Sequence, residues 1–149
     1  MKLSLLSDYA LRLLMMLAAN PDRLCTIAEA ATRYGVSRNH MMKVAQILTS
    51  EGYAHSVRGR SGGLRLARPA AEIRIGDVLR HTEDFALLDC FGENGEEACI
   101  LSPMCRLKGV LAEANAAFIA VLDNYTLADV TGNLSILRLH DSGQAAGLT

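Results

Sequence analysis

The chain has 149 residues, is 50% hydrophobic and carries a net charge of −1, which bounds it to one or at most two small domains with enough apolar residues for a core. Its longest apolar run, Leu13 to Ala19, is far too short to span a bilayer, and the N-terminus has neither the basic start nor the small-residue cleavage site of a secretory leader. The expectation is a cytoplasmic protein without membrane association, whose four cysteines stay reduced.

The near-neutral mean hides an asymmetry. Residues 1–80 hold twelve Lys and Arg against six Asp and Glu, giving +6, whereas residues 81–149 hold three against ten, giving −7. A basic front half suits a polyanion such as DNA, whose binding is dominated by phosphate contacts and released counterions.

Leu6, Tyr9, Ala10, Leu13, Leu14 and Leu17 recur at helical spacing and predict a first helix, which Asn20-Pro21-Asp22 ends. Thr26 can cap a second, Ile27 to Arg33, with Glu29 completing a capping box, and Tyr34-Gly35-Val36 is a tight turn. Ser37 caps a third helix that runs through Val44, Ile47 and Leu48 to Gly52. Helix, glycine turn and helix form a helix-turn-helix pattern. The N-terminal end of its second member, Ser37, Arg38, Asn39 and His40 with Lys43 one turn on, is polar and basic, as a helix entering a major groove requires.

Two short strands follow, Tyr53 to Val57 and Leu64 to Leu66, joined by a basic glycine-rich turn that carries Arg58, Arg60 and Ser61. A hairpin after a helix-turn-helix is a wing. Its glycines let the backbone approach phosphates or a minor groove, and its arginines supply charge. Pro69 and Glu72 precede a helix around Ile75 to His81.

Beyond residue 82 the chain changes character. Cys90, Cys99 and Cys105 cluster around an acidic, glycine-bearing loop, with gaps of eight and five residues. An odd cluster cannot close into disulfides without leaving a thiol free, and neither gap matches the close pairing usual for zinc. Zinc is therefore the second choice, behind an iron-sulfur cluster, whose thiolate spacing varies more. With Ser102 as cap and Pro103 in the first turn, Cys105 is expected at the third position of a long helix, where the dipole favours a thiolate. Three thiolates leave a fourth position for another group or a small molecule, and His81, Glu83 and Asp84 flank the loop as candidates. Cys25, apart from the cluster, is expected to be a small buried hydrophobe. Asp8 lies off the apolar stripe of the first helix, where the plain expectation is an ion pair with Arg12 at i+4.

The long helix is expected to run to about Leu122, with Leu107, Val110, Leu111, Ala114, Phe118, Val121 and Leu122 along one stripe and alanines on another face. Such a helix needs partners on two sides, and a second copy of the chain is the expected cover for one of them. Thr126 to Val130 adds a short turn, the pattern weakens from Gly132, and His140 carries no legible role. The fold class is thus mainly α with a small β-hairpin wing: a winged helix-turn-helix over 1–82, a cluster-binding loop over 83–105, a dimerisation helix with its short successor over 103–131, and a tail over 132–149. No nucleophilic triad or phosphate loop is visible, and an enzyme is not expected.

Ser7-Asp8-Tyr9-Ala10-Leu11-Arg12, Tyr34 to Met41, Val57 to Gly63, Arg74-Ile75-Gly76-Asp77-Val78, Cys105-Arg106-Leu107-Lys108 and Asp123 to Asp129 together resemble the winged-helix iron-sulfur regulators that include IscR, NsrR and RirA. The likeness extends from Met1 to about Val130 and is nearest to the nitric-oxide-sensing NsrR type. It implies a homodimeric repressor that binds a double-stranded operator with its cluster intact and leaves when nitric oxide attacks the cluster. A 4Fe-4S cluster is favoured over 2Fe-2S. The resemblance also implies that Asp8 of the partner subunit is the fourth ligand beside Cys90, Cys99 and Cys105. The gap between Cys90 and Cys99 is wider than in many NsrR sequences and approaches the iron-responsive RirA type, whereas the recognition-helix segment favours NsrR.

Overall fold

The computed structural model describes residues 2–87 and 104–139. α1 (Leu5–Ala19) starts where Ser4 accepts a hydrogen bond from the Ser7 amide at 3.2 Å. α2 (Ile27–Tyr34) opens on the expected capping box between Thr26 and Glu29 and stops at Gly35, whose φ of 64° is left-handed and favours glycine. α3 (Arg38–Ser50) is capped by Ser37 and ends before Gly52, at φ 72°.

β1 (Ala54–Val57) pairs antiparallel with β2 (Gly63–Leu66), with Ala54 opposite Leu66 and Val57 opposite Gly63. Cys25 extends this ladder: its amide donates to Leu64 O at 2.9 Å, and the Leu64 amide donates to Cys25 O at 2.8 Å. The root of the wing is thereby tied to the start of α2. Leu13, Leu14, Leu17, Met41, Leu48, Val78 and Leu127 are buried in the core beneath these elements, each contributing roughly 1.5–3 kcal/mol through removal from water.

A 3₁₀ turn (Ala70–Glu72) leads into α4 (Ile75–Thr82), and the chain resumes in α5 (Arg106–Leu122), α6 (Leu127–Thr131) and a 3₁₀ turn (Ser135–Leu137). α6 packs on α1 and carries its own capping box from Thr126 to Asp129. No residue of α5 is buried. One side of it meets Phe85, whose ring lies 6.4 Å from that of Phe118 and whose carbonyl accepts from Asn115 Nδ2 at 2.7 Å. On the uncovered side Leu107, Val110 and Val121 are 57%, 59% and 57% exposed.

Two details differ from the sequence expectation. α5 begins at Arg106 because Cys105 has extended backbone (φ −78°, ψ 100°), so Cys105 is the N-cap and not the third helical position; Ser102 and Pro103 lie outside the described residues. Residues after Gly132, expected as tail, return to the winged domain as far as Leu139. Buried Asn20 holds them from both faces of its amide, donating to Leu137 O at 2.8 Å and accepting from the Leu139 amide at 2.7 Å. His140 and the remaining tail lie outside the described residues. Among those described, no helix is long and apolar enough to cross a membrane.

Candidate functional site

The exposed edge of α3 and the wing form one surface. Ser37, Arg38, Asn39, His40, Lys43, Arg58, Arg60 and Ser61 are all exposed. Among the described residues, Arg38, Lys43, Arg58 and Arg60 make no ion pair, so their charge is available to a polyanion. The Ser37 hydroxyl accepts the His40 amide at 3.2 Å, which sets the start of α3 and aims its first turn outward. At the wing tip Gly59 has φ 113°, and a Cβ at Gly62 would collide with Val57 O, so this tight turn needs both glycines.

Between α3, the wing and the start of α2 runs a groove of about 690 Å³ lined by Thr26, Arg38, Met42, Gln46, Ser56 and Val57 among others. Sequence reasoning missed Met42 and Gln46. Met42, 55% exposed, and Gln46 continue the face that begins with Arg38. Their spacing of four from Arg38 was the available signal, obscured because Met42 reads as a core residue.

The thiols separate into two kinds. Cys25 is fully buried, and burial pushes its thiol up to about 11, so at neutral pH it is neutral and a poor ligand. Cys105 is a free, half-buried cysteine at the N-terminus of α5, where no side chain caps the helix and the first turn holds no acid. Free amides and the positive dipole end there suit a thiolate or an anionic cluster. Cys90 and Cys99 lie outside the described residues; among those described, no three His, Cys, Asp or Glu side chains gather as a metal site.

Asp8 makes the ion pair expected of it, Arg12 Nε donating to Oδ1 at 2.8 Å. Arg12 lies 5.9 Å from the Tyr34 ring centroid, and its backbone carbonyl accepts from Tyr34 Oη at 2.7 Å. The three residues flanking the cysteine loop each make hydrogen bonds within the described structure. His81 Nδ1 lies 3.0 Å from Tyr53 Oη and 2.8 Å from Asp77 O. Glu83 accepts from the Ser4 amide at 2.8 Å, and Asp84 from the Ala86 amide at 2.9 Å.

A helix-turn-helix with a basic wing, followed by a long helix with exposed apolar residues, defines a winged-helix DNA-binding transcription regulator. The model of the Rrf2 family, described as iron-dependent transcriptional regulators, matches residues 3–133. The chain belongs to the Rrf2 family of transcription regulators. It is 48% identical over 141 residues to the HTH-type transcriptional regulator NsrR of Bacillus licheniformis, spanning 93% of this chain and 97% of that one. Staphylococcus aureus CymR in its oxidized form superimposes with TM-score 0.71 at 27% identity, over 90% of this chain and 98% of that one. T. potens IscR, at 24% identity and TM-score 0.72, covers 95% and 94% of the two chains and shares the fold. The family and the B. licheniformis relative are transcription regulators, and the chain is a regulator and not an enzyme.

Proposed function

We propose that the chain is a homodimeric, cytoplasmic repressor that holds an iron-sulfur cluster, 4Fe-4S in preference to 2Fe-2S, and releases its operator when nitric oxide nitrosylates that cluster. The observation that carries this reading is Cys105, a free thiol at the uncapped N-terminus of α5. The B. licheniformis relative carries the name NsrR, the type through which the sequence resemblance implies nitric oxide as the signal.

The donor chemistry fits. Cys90, Cys99 and Cys105 offer soft thiolates, and Asp8 of the partner subunit offers a harder, more labile carboxylate. When bound, the cluster supplies iron open to attack by nitric oxide. Asp8 is held by Arg12 through one exposed i,i+4 pair, worth about 0.3–0.5 kcal/mol, so exchanging that partner for a metal costs little. Arg38, Asn39 and His40 read base edges with Ser37 and Lys43 beside them, while Arg58, Arg60 and Ser61 serve the wing. The exposed Leu107, Val110 and Val121 face of α5 is covered by a second copy, which places two recognition helices at half-site spacing. Loss of ligation at Cys105 frees the start of α5.

A second reading, an iron-responsive or cluster-status regulator of the RirA or IscR type, is favoured by the wide gap between Cys90 and Cys99 and by the description of the family model. Anaerobic purification, metal analysis and a visible spectrum with DNA binding before and after nitric oxide separate the readings. Iron and sulfide with absorbance, lost together with DNA binding on nitric oxide, is the expected result. Sensitivity to iron depletion alone favours the second reading. One tight zinc per chain without iron would overturn both and leave a zinc-stabilised interaction protein.

A further inference from the structure

Arg80, near the end of α4, reaches Asp123, the residue that closes α5. Nη1 lies 2.8 Å from Oδ1 and Nη2 2.6 Å from Oδ2. Two parallel charge-assisted bonds fix direction as well as distance, which a single contact does not. Asp77, one turn earlier on α4, accepts a further bond from Nη1 at 2.8 Å and steadies the guanidinium. The bonds from Arg80 hold the Asp123 carboxyl below its usual range, so it is ionised at neutral pH.

Gly76 makes the room for this arrangement. Its backbone is ordinary helix, so conformation does not demand glycine there. A Cβ at position 76 would collide with Asp123 Oδ1, the oxygen that Arg80 holds, and would lie 3.0 Å from its Cγ and 3.2 Å from its backbone nitrogen.

The main chain ties the start of α4 to the link between α5 and α6, with the Ile75 amide donating to Tyr125 O at 3.0 Å and the Leu127 amide to Ile73 O at 2.7 Å. A short bridge of this kind fixes where the end of α5 attaches. The side-chain pair, set off from the bridge, fixes its direction. α5 is ~25 Å long, so each degree of tilt at Asp123 displaces the Cys105 end by ~0.4 Å. In a two-fold dimer built through α5, any such change is made twice.

We propose that Arg80 and Asp123 are a positioning pair that sets the angle of α5 against the winged domain, and with it the half-site spacing the dimer accepts on DNA. This rests on the dimeric repressor reading above. Arg80 is 44% exposed and Asp123 26%, so solvent screens the pair and its removal should move thermal stability little. A merely structural role predicts a loss of stability with spacing preference unchanged.

The test uses the full-length, cluster-loaded protein and a duplex that it selects from a random library, resynthesised with one or two base pairs added or removed at the centre. The wild-type protein should lose about tenfold or more in affinity per altered spacing, because half-site separation is a geometric constraint. Arg80→Ala and Gly76→Ala should each flatten that preference to within about threefold, by removing the fork or by displacing the carboxylate it grips. Arg80→Lys, which keeps the charge without the fork, should fall between. Asp123→Asn supplies the comparison if Gly76→Ala does not fold. Wild-type spacing preference in both Arg80→Ala and Asp123→Asn would overturn the proposal. Failure of the wild-type protein to select any duplex would overturn the repressor reading and the proposal with it.

Discussion

Ser7 and Thr82 are joined side chain to side chain, the Ser7 hydroxyl donating to Thr82 Oγ1 at 3.0 Å in a buried setting. Thr82 in turn donates to Val78 O at 3.0 Å, and the neighbouring Ser4 amide donates to Glu83 at 2.8 Å. The N-terminus of α1, which carries Asp8, is thereby fastened to the residues that enter the cysteine loop. Two of these bonds, Ser7 to Thr82 and Ser4 to Glu83, are direct polar ties between the loop entrance and the start of α1. Ser7→Ala should cost about 1 kcal/mol, the net worth of one such bond, because Thr82 retains Val78 as its acceptor. Chemical denaturation measures it; an unchanged midpoint would show the bond to be dispensable.

Replacing Cys90, Cys99 or Cys105 by Ala should each abolish the cluster spectrum of anaerobically purified protein. Cys25→Ala should spare it, since the Cys25 thiol is buried and neutral at working pH. A cluster lost with Cys25 would show the ligand assignment to be wrong.

Asp8→Ala should keep part of the cluster through the three thiolates while changing its rate of reaction with nitric oxide and weakening its link to DNA binding. Loss of the pair with Arg12 should destabilise the fold by only about 0.3–0.5 kcal/mol. Stopped-flow spectra that match the wild-type protein at every nitric oxide concentration would leave Asp8 as a helix ion pair and nothing more.

Asn39→Ala should weaken operator binding by roughly 1–3 kcal/mol and alter sequence preference, whereas loss of a phosphate contact at Arg60 should weaken all sequences alike and lower the salt dependence. Met42, apolar and exposed in the groove, has the thymine methyl as its natural contact. Replacing thymine by uracil in a selected site should therefore weaken the wild-type protein and leave Met42→Ala unaffected. Equal sensitivity of both proteins would remove Met42 from the reading face.

Stability should fall in acid. Burial pushes the Glu29 carboxyl up, but hydrogen bonds from Thr26 and Arg23 outweigh it, and the net shift is downward. At Glu83 burial is outweighed in the same way by hydrogen bonds from Ser7 and Ser4, and Asp129 is lowered by its bonds to Thr126. Groups depressed in the folded state stabilise it fully above their ordinary values, which for free side chains lie at about 4, and lose that contribution as pH falls through their folded values. Thermal unfolding between pH 7 and pH 3 should show a plateau that declines below about pH 4. A flat profile would show that these bonds persist in the unfolded chain or contribute nothing.

The sequence by itself determined every element whose signal is local. Ser37 capping α3, the reciprocal bonds of Thr26 and Glu29, the left-handed Gly35 and Gly52, and the glycine-bearing wing all follow from side chains within four residues of the groups they satisfy. Hydrophobic periodicity likewise marked Leu13, Leu14 and Leu17 for the core, and isolation from the other cysteines marked Cys25 for burial. Tertiary structure decided what depends on distant partners: Asn20 holding Leu137 and Leu139, Arg80 meeting Asp123, and Ser7 meeting Thr82. It also decided that Met42 faces the groove. A cap or a turn is fixed by the backbone immediately beside it. A pair of polar side chains far apart in sequence finds its geometry only after the core has packed, because packing sets which faces remain for them to share.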